Sequence, residues 1–226
     1  MSYPPPGMIG PRAIALWALR TMSDGVVVTG LERIPAHGPA LLVARHYHHL
    51  LDAAVLVRHL RRPLHILVGL DWAADARQRR WMERLCRWAG WPVILRPATT
   101  GERAGYERDE IGRYLRSGLR DAAALLRDGR LVLVFPEGYP LVDPVSTQTR
   151  GRRDADGFLP FAAGFRTILA LARRAGAPET PIVPVGFNYE RRGERWRITT
   201  RIGAPLPQTA TVAETERAVR MLSKRP

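Results

Sequence analysis

Three short runs in this chain are apolar from end to end: Ala40–Ala44 (ALLVA), residues 131–135 (LVLVF) and residues 182–185 (IVPV). Successive side chains of a strand point to opposite faces of its sheet, so a strand apolar at every position is covered on both sides. Such strands belong to mostly parallel sheets with helices on both faces, and the intervening segments agree with that reading. Residues 51–60 and 109–128 repeat apolar residues at helical spacing; in the second, Ile111, Leu115, Leu119, Ala122, Leu125 and Leu126 form one stripe, and Gly129 supplies the stop. Further helices are expected over Pro11–Met22, 72–89, 161–175 and 212–222, and further strands over 26–29, 64–68, 93–95 and 195–202, the last as an edge strand. Residues 1–10 read as a loose leader and 139–157 as a long functional loop. No repeat or linker divides the chain. The expectation is an α/β fold in which residues 1–24 form a leader and a membrane-surface helix, and residues 25–226 a single domain with a mostly parallel central sheet flanked by helices.

The segment 41–52, LLVARHYHHLLD, carries the densest chemistry. An apolar run ends in three histidines within four positions, and Asp52 follows. Imidazoles beside an acid serve proton transfer or metal binding. A second special segment, PEGYP (136–140), also leaves an apolar strand directly. Ligands of doubly covered α/β sheets bind beyond the carboxyl ends of the strands, which places both segments at one site.

Composition narrows the classes. The net charge is +14, and Lys224 is the only lysine. A compositional bias explains the preference for arginine but not the excess over acids, so the surplus points to an anionic partner. The lone cysteine, Cys86, excludes an internal disulfide framework and a thiolate cluster. No run reaches the roughly 20 apolar residues of a membrane span. Residues 13–19 (AIALWAL), between Arg12 and Arg20, lack a cleavage pattern and fit either an interfacial helix or one packed on its own domain.

Four blocks in order carry a family resemblance across residues 25–205: ARHYHHLLD after the first apolar strand, GWPVILR (90–96), FPEG (135–138) and PIVPVG (181–186). They resemble the glycerolipid acyltransferases typified by lysophosphatidic acid acyltransferases, whose blocks read Asn-His-x4-Asp, Gly-x-x-Phe/Val-Ile-x-Arg, Phe-Pro-Glu-Gly and Val-Pro-Val. The resemblance implies a glycerol-3-phosphate acyltransferase-like fold and acyl transfer from acyl-CoA or acyl carrier protein to a lipid hydroxyl. No cofactor beyond that co-substrate is implied, nor any nucleic-acid partner. It further implies peripheral attachment at the cytoplasmic face of a membrane.

Its site residues would be a His–Asp pair for proton transfer, with Arg96, Glu137, Gly138 and Arg150 around the acceptor. Two departures matter. His46 lies one residue too far from Asp52 for the family spacing and His48 one too near, while Tyr47 occupies the consensus place. Strand position favours His46; helical i, i+4 spacing favours His48. After Gly138 the family's Thr-Arg is replaced by Tyr139-Pro140, and an insertion would move the phosphate-holding arginine to Arg150, in Thr149-Arg150. Arg96 would neutralise the acceptor phosphate, Glu137 would orient its hydroxyls, and Asp52 would fix the tautomer of the basic histidine.

Two other readings compete. His46-x-His48 with Asp52 superficially resembles zinc-ligand spacing, yet His37, His59 and His65 lie in no motif and FPEG goes unexplained. A non-enzymatic basic module that binds membrane or nucleic acid would use Arg152-Arg153, Arg173-Arg174 and Arg191-Arg192, and would leave the histidines idle.

Overall fold

β2 (Ala40–Ala44) is fully buried and lies inside a six-stranded sheet of order β1-β8-β7-β2-β6-β3, as its apolar composition requires. The computed structural model describes residues 10–73, 75–96, 108–142 and 153–224. Around β2 the sheet is built from β1 (Ser23–Thr29), β3 (Leu64–Ile66), β6 (Leu131–Val134), β7 (Ile182–Arg192) and β8 (Arg195–Ile202). β2 pairs in parallel with β6 and β7, β6 with β3, and β1 with β8; only the β7–β8 hairpin is antiparallel. β4 (Val68–Gly69) and β5 (Val93–Ile94) form a separate two-stranded parallel ribbon.

Alternation along the strands divides the core into two layers. Ala40, Leu42 and Ala44 of β2, with Leu131, Leu133, Val183 and Val185, pack against Ala15, Ala18 and Leu19 of α1 (Pro11–Met22) and Leu51, Ala54 and Val55 of α2 (Leu51–His59). Leu41, Val43, Val132 and Val134 face Ala122 and Leu126 of α4 (Arg108–Arg127), Phe165 and Ile168 of α5 (Gly164–Arg174) and Val219 of α6 (Val212–Ser223). α3 (Ala76–Ala89) starts at Asp75, whose side chain accepts from the N–H groups of Arg77 and Gln78.

Three expectations are revised. The strand expected over 64–68 is split: β3 stays in the main sheet, while Val68 pairs with Val93 in the ribbon. The strand expected to stop at Val185 continues to Arg192, past Gly186, where a β-carbon would collide with the Leu222–Ser223 backbone at the end of α6. The hairpin partner β8 is not an edge, because β1 covers its outer side. α1 joins the core through Ala15, Ala18 and Leu19, leaving Trp17 61% exposed.

The carboxyl ends of β2 and β6 lie level, with Val43 opposite Val134. Ala44 faces Val185 of β7. The segments that follow, from Arg45, from Phe135 and from Gly186, are therefore brought together at one end of the sheet.

Candidate active site

Leaving β2, the chain turns into α2 within six residues, and Asp52 stands in the first turn of that helix. A carboxylate is favoured there by the helix dipole. Its side chain is wholly buried, and four donors surround it. Oδ2 accepts from the backbone N–H of Tyr47 at 2.7 Å and of His48 at 2.9 Å, and lies 3.0 Å from Nδ1 of His46. Oδ1 accepts from the Tyr189 hydroxyl at 2.5 Å. The carboxylate can only accept, so His46 carries its proton on Nδ1 and presents Nε2 as the basic nitrogen. The His46 ring stacks on Phe135 with centroids 4.2 Å apart, which fixes its plane, and 15% of the side chain remains exposed.

His48 is used differently. Its backbone reaches Asp52, whereas its ring turns back and Nδ1 accepts from the N–H groups of Leu50 and Leu51 at 3.3 and 3.4 Å, in the manner of a helix cap. The ring is buried, 3% exposed, and that burial above all lowers its pKa to about 4. The i, i+4 spacing therefore creates a helix start rather than an imidazole–carboxylate pair. Exposed His49 stacks on His48 with centroids 4.6 Å apart.

The FPEG segment supplies an anchor. Glu137 is 5% exposed; Oε2 accepts from the His46 N–H at 2.8 Å and Oε1 from the Leu159 N–H at 3.0 Å. It ties the exit of β2 to the approach to α5. Burial raises its pKa to about 7 in spite of those hydrogen bonds and of nearby Arg45 and Arg153. Gly138 has φ +75°, and a β-carbon there would meet the Arg96 guanidinium, so the turn needs glycine.

Arg96 binds both oxygens of buried Asp71, with Nη2 2.8 Å from Oδ2 and Nε 3.0 Å from Oδ1. It also donates to the Gly138 carbonyl and lies 4.0 Å from the centre of the Tyr139 ring. Arg96, Gly138 and Glu137 thus gather around the turn after β6, with Arg96 held by protein groups. Arg150 lies outside the described residues, as does Thr149.

Sequence reasoning missed Tyr189, Asp71 and Arg153. Tyr189 belongs to the part of β7 beyond the apolar run; it stacks on Tyr47 at 4.4 Å and is wholly buried, with its pKa pushed well up by burial and by Asp52. Arg153, read only as half of a basic pair, donates to the carbonyls of Pro140 and Gly157 at 2.9 Å and of Tyr139 at 3.2 Å, closing the loop. Among the described residues, no three His, Cys, Asp or Glu side chains form a group able to hold a metal ion.

A comparison with curated proteins finds no match. Among solved structures, the fold is similar to the crystal structure of the 1-acyl-sn-glycerophosphate (LPA) acyltransferase, PlsC, from Thermotoga maritima, with a TM-score of 0.58 and 18% identity, covering 93% of this chain and 76% of that one. At that identity the likeness is one of fold. The Acyltransferase family model matches residues 25–188, a span that holds β2, the His46–Asp52 turn, the FPEG anchor and β7 up to the residue before Tyr189. The chain is an acyltransferase and belongs to the Acyltransferase family.

Proposed function

We propose that this enzyme transfers a fatty acyl group from a thioester, acyl-CoA or acyl carrier protein, to a hydroxyl of a lysophospholipid acceptor of the 1-acylglycerol-3-phosphate type, as a step in phospholipid synthesis. The observation that carries the reading is the contact between His46 Nδ1 and the fully engaged Asp52 carboxylate, which leaves Nε2 as a base at the open end of the sheet. The acceptor hydroxyl gives its proton to Nε2 as its oxygen bonds to the thioester carbonyl carbon. The tetrahedral intermediate collapses with cleavage of the C–S bond, and the thiolate takes the proton back from the imidazolium. Asp52 holds the tautomer and stabilises the cationic ring between the two steps. Glu137 acts by positioning His46 through its backbone.

The metallohydrolase reading lacks a ligand set among the described residues, where no three His, Cys, Asp or Glu side chains group closely enough to hold a metal ion. Membrane attachment is proposed as peripheral, at the cytoplasmic face. No helix among the described residues is long and apolar enough to cross a membrane. Trp17 on α1 and Trp81 on α3 are each more than 60% exposed and stand among arginines, a pattern suited to an anionic headgroup layer. Flotation with anionic vesicles should show binding that high salt releases; equal binding to neutral vesicles would reject the electrostatic part.

Mass spectrometry of products from a panel of lysolipids and acyl-CoA tests the chemistry. A diacyl product from lysophosphatidate is expected. Transfer only to unphosphorylated acceptors would move the function away from phosphatidate synthesis, and thioester hydrolysis without acylated product would overturn the reading.

A further inference from the structure

Arg45 is a buried cation that neither the fold nor the proton-transfer site explains. It directly precedes His46, where the resembling family carries asparagine, and it is 6% exposed. Its Nη2 donates to the Asp156 carbonyl at 2.9 Å, and its guanidinium lies 3.8 Å from the centre of the Phe158 ring. Nε is buried with no hydrogen-bond partner among the described residues, and the side chain forms no salt bridge there. The acid that attracts it most strongly, Glu137, has both oxygens taken by backbone donors. A buried charge without an ion partner is costly, and burial accordingly lowers the pKa of Arg45.

That side chain lines a cavity of about 530 Å³ at the carboxyl end of the sheet. Tyr47, Phe158 and Tyr189 form aromatic walls, and Arg220 and Lys224, from the end of α6, bring two further cations. Arg220 stacks on the same Phe158 ring at 4.3 Å, held there by Asp154 and Glu216. Among the described residues, the lining thus holds Arg45 and Lys224 as cations in no salt bridge, Arg220 as a cation already paired, and Asp156 as its carboxylate.

We propose that this cavity is a phosphoryl-binding subsite for one of the two substrates. A phosphate group offers several oxygens and up to two negative charges, and guanidinium donors in a partly desolvated pocket match both. The subsite touches the proton-transfer machinery: Tyr189, in its wall, donates its hydroxyl to Asp52, and Tyr47 gives Asp52 its backbone N–H. It is also distinct from the turn where Arg96 was expected to hold a phosphate, since Arg96 is bound by Asp71 and Gly138. The substrate assignment rests on the acyl-transfer reading; the binding of phosphate does not.

Calorimetric titration with inorganic phosphate, at ionic strength held constant with chloride, decides the binding. Wild type should bind, Arg45→Gln should weaken binding by about tenfold or more, the worth of one charge-assisted hydrogen bond, and Arg58→Gln at an exposed position of α2 should leave it unchanged. Should Arg45→Gln fail to fold, Lys224→Gln, at an exposed position, serves instead and should weaken binding by about threefold. No binding by wild type, or equal binding by the cavity variant tested, overturns the proposal. Kinetics then name the source. A rise in KM confined to a phosphorylated lysolipid, against monoacylglycerol, assigns the cavity to the acceptor. A rise confined to acyl-CoA, against an acyl-N-acetylcysteamine thioester, assigns it to the donor. Lost phosphate binding with every KM unchanged would overturn its role as a substrate subsite. Absence of all acyl transfer would defeat the functional reading alone, because the calorimetry stands without turnover.

Discussion

The two turns that leave β2 and β6 stand side by side at one end of the sheet, yet they are held together in opposite ways. After β2, three of the four donors to Asp52 come from four to six residues away in the chain: His48 N–H, Tyr47 N–H and His46 Nδ1. After β6, Glu137 reaches His46 across 91 residues and Leu159 across 22, and Arg96 reaches Asp71 across 25 and Gly138 across 42. The first turn is held mainly by neighbours in sequence, the second by groups that only the tertiary fold brings together. Local turns of this kind are suited to presenting a reactive group, and long-range ones to fixing its position.

Replacing residues in the first turn should therefore strike the chemistry while sparing the fold. His46→Ala should lower kcat by about 10²–10⁴-fold, the usual worth of a positioned general base. His48→Asn should keep most activity, because an amide oxygen can still cap α2. Steady-state kinetics of both variants test the contrast: loss in His48→Asn with full activity in His46→Ala would reverse the assignment of the base.

In the second turn the balance should shift to stability. Arg96→Gln removes the guanidinium that binds both oxygens of buried Asp71, and breaking such a pair costs about 3 kcal/mol or more. Adding Asp71→Asn should restore part of that loss, since the pair is then replaced by two neutral side chains. Urea unfolding of the two single variants and the double checks it. An Arg96→Gln protein of wild-type stability with a raised KM for phosphorylated acceptor alone would instead make Arg96 a substrate group.

The same distinction explains what was legible beforehand. The apolar runs placed β2, β6 and the start of β7, and helical periodicity placed α2 and α4, because burial and period are properties of neighbours in sequence. His46 and Asp52 were visible for the same reason, though spacing alone could not separate His46 from His48: that needed the direction of the His48 ring. Tyr189 was invisible, since Gly186, Asn188 and Glu190 end the apolar run before a strand that in fact continues for seven more residues. The engagement of Arg96 by Asp71 has no spacing to read at all. A single arginine at a strand end, such as Arg45, carries no pattern until its burial is known.

Tyr189 joins the two kinds of turn, being a long-range donor to the local one. Tyr189→Phe leaves Asp52 Oδ1 without its buried donor, and a hydrogen bond to a charged group is worth about 1.5–3 kcal/mol. A stability loss of that size is expected, with a fall in kcat smaller than that of His46→Ala. Unchanged kcat in a destabilised variant would make Tyr189 a purely structural support.

The smallest effect lies in the pH dependence of stability, where the two turns should pull in opposite directions. His48 has a folded pKa of about 4, below its ordinary 6.5, so between those values the unfolded chain binds more protons than the native one. Its contribution is present above 6.5 and is lost as pH falls toward 4. Glu137 has a folded pKa of about 7, above its ordinary 4.5, so in that window the native state binds more protons. Its contribution is present below 4.5 and is lost as pH rises through 7. Between about pH 4.5 and 6.5 the slopes oppose one another, and the wild-type profile should be flatter than either group alone would make it. His48→Asn removes the rising component and should leave stability declining with pH; Glu137→Gln removes the falling component and should leave it rising. Urea midpoints across pH 4.5–7 measure both. Parallel profiles for the two variants would show that these groups do not titrate as their burial requires, and that the contrast between the local and the long-range turn does not extend to their protons.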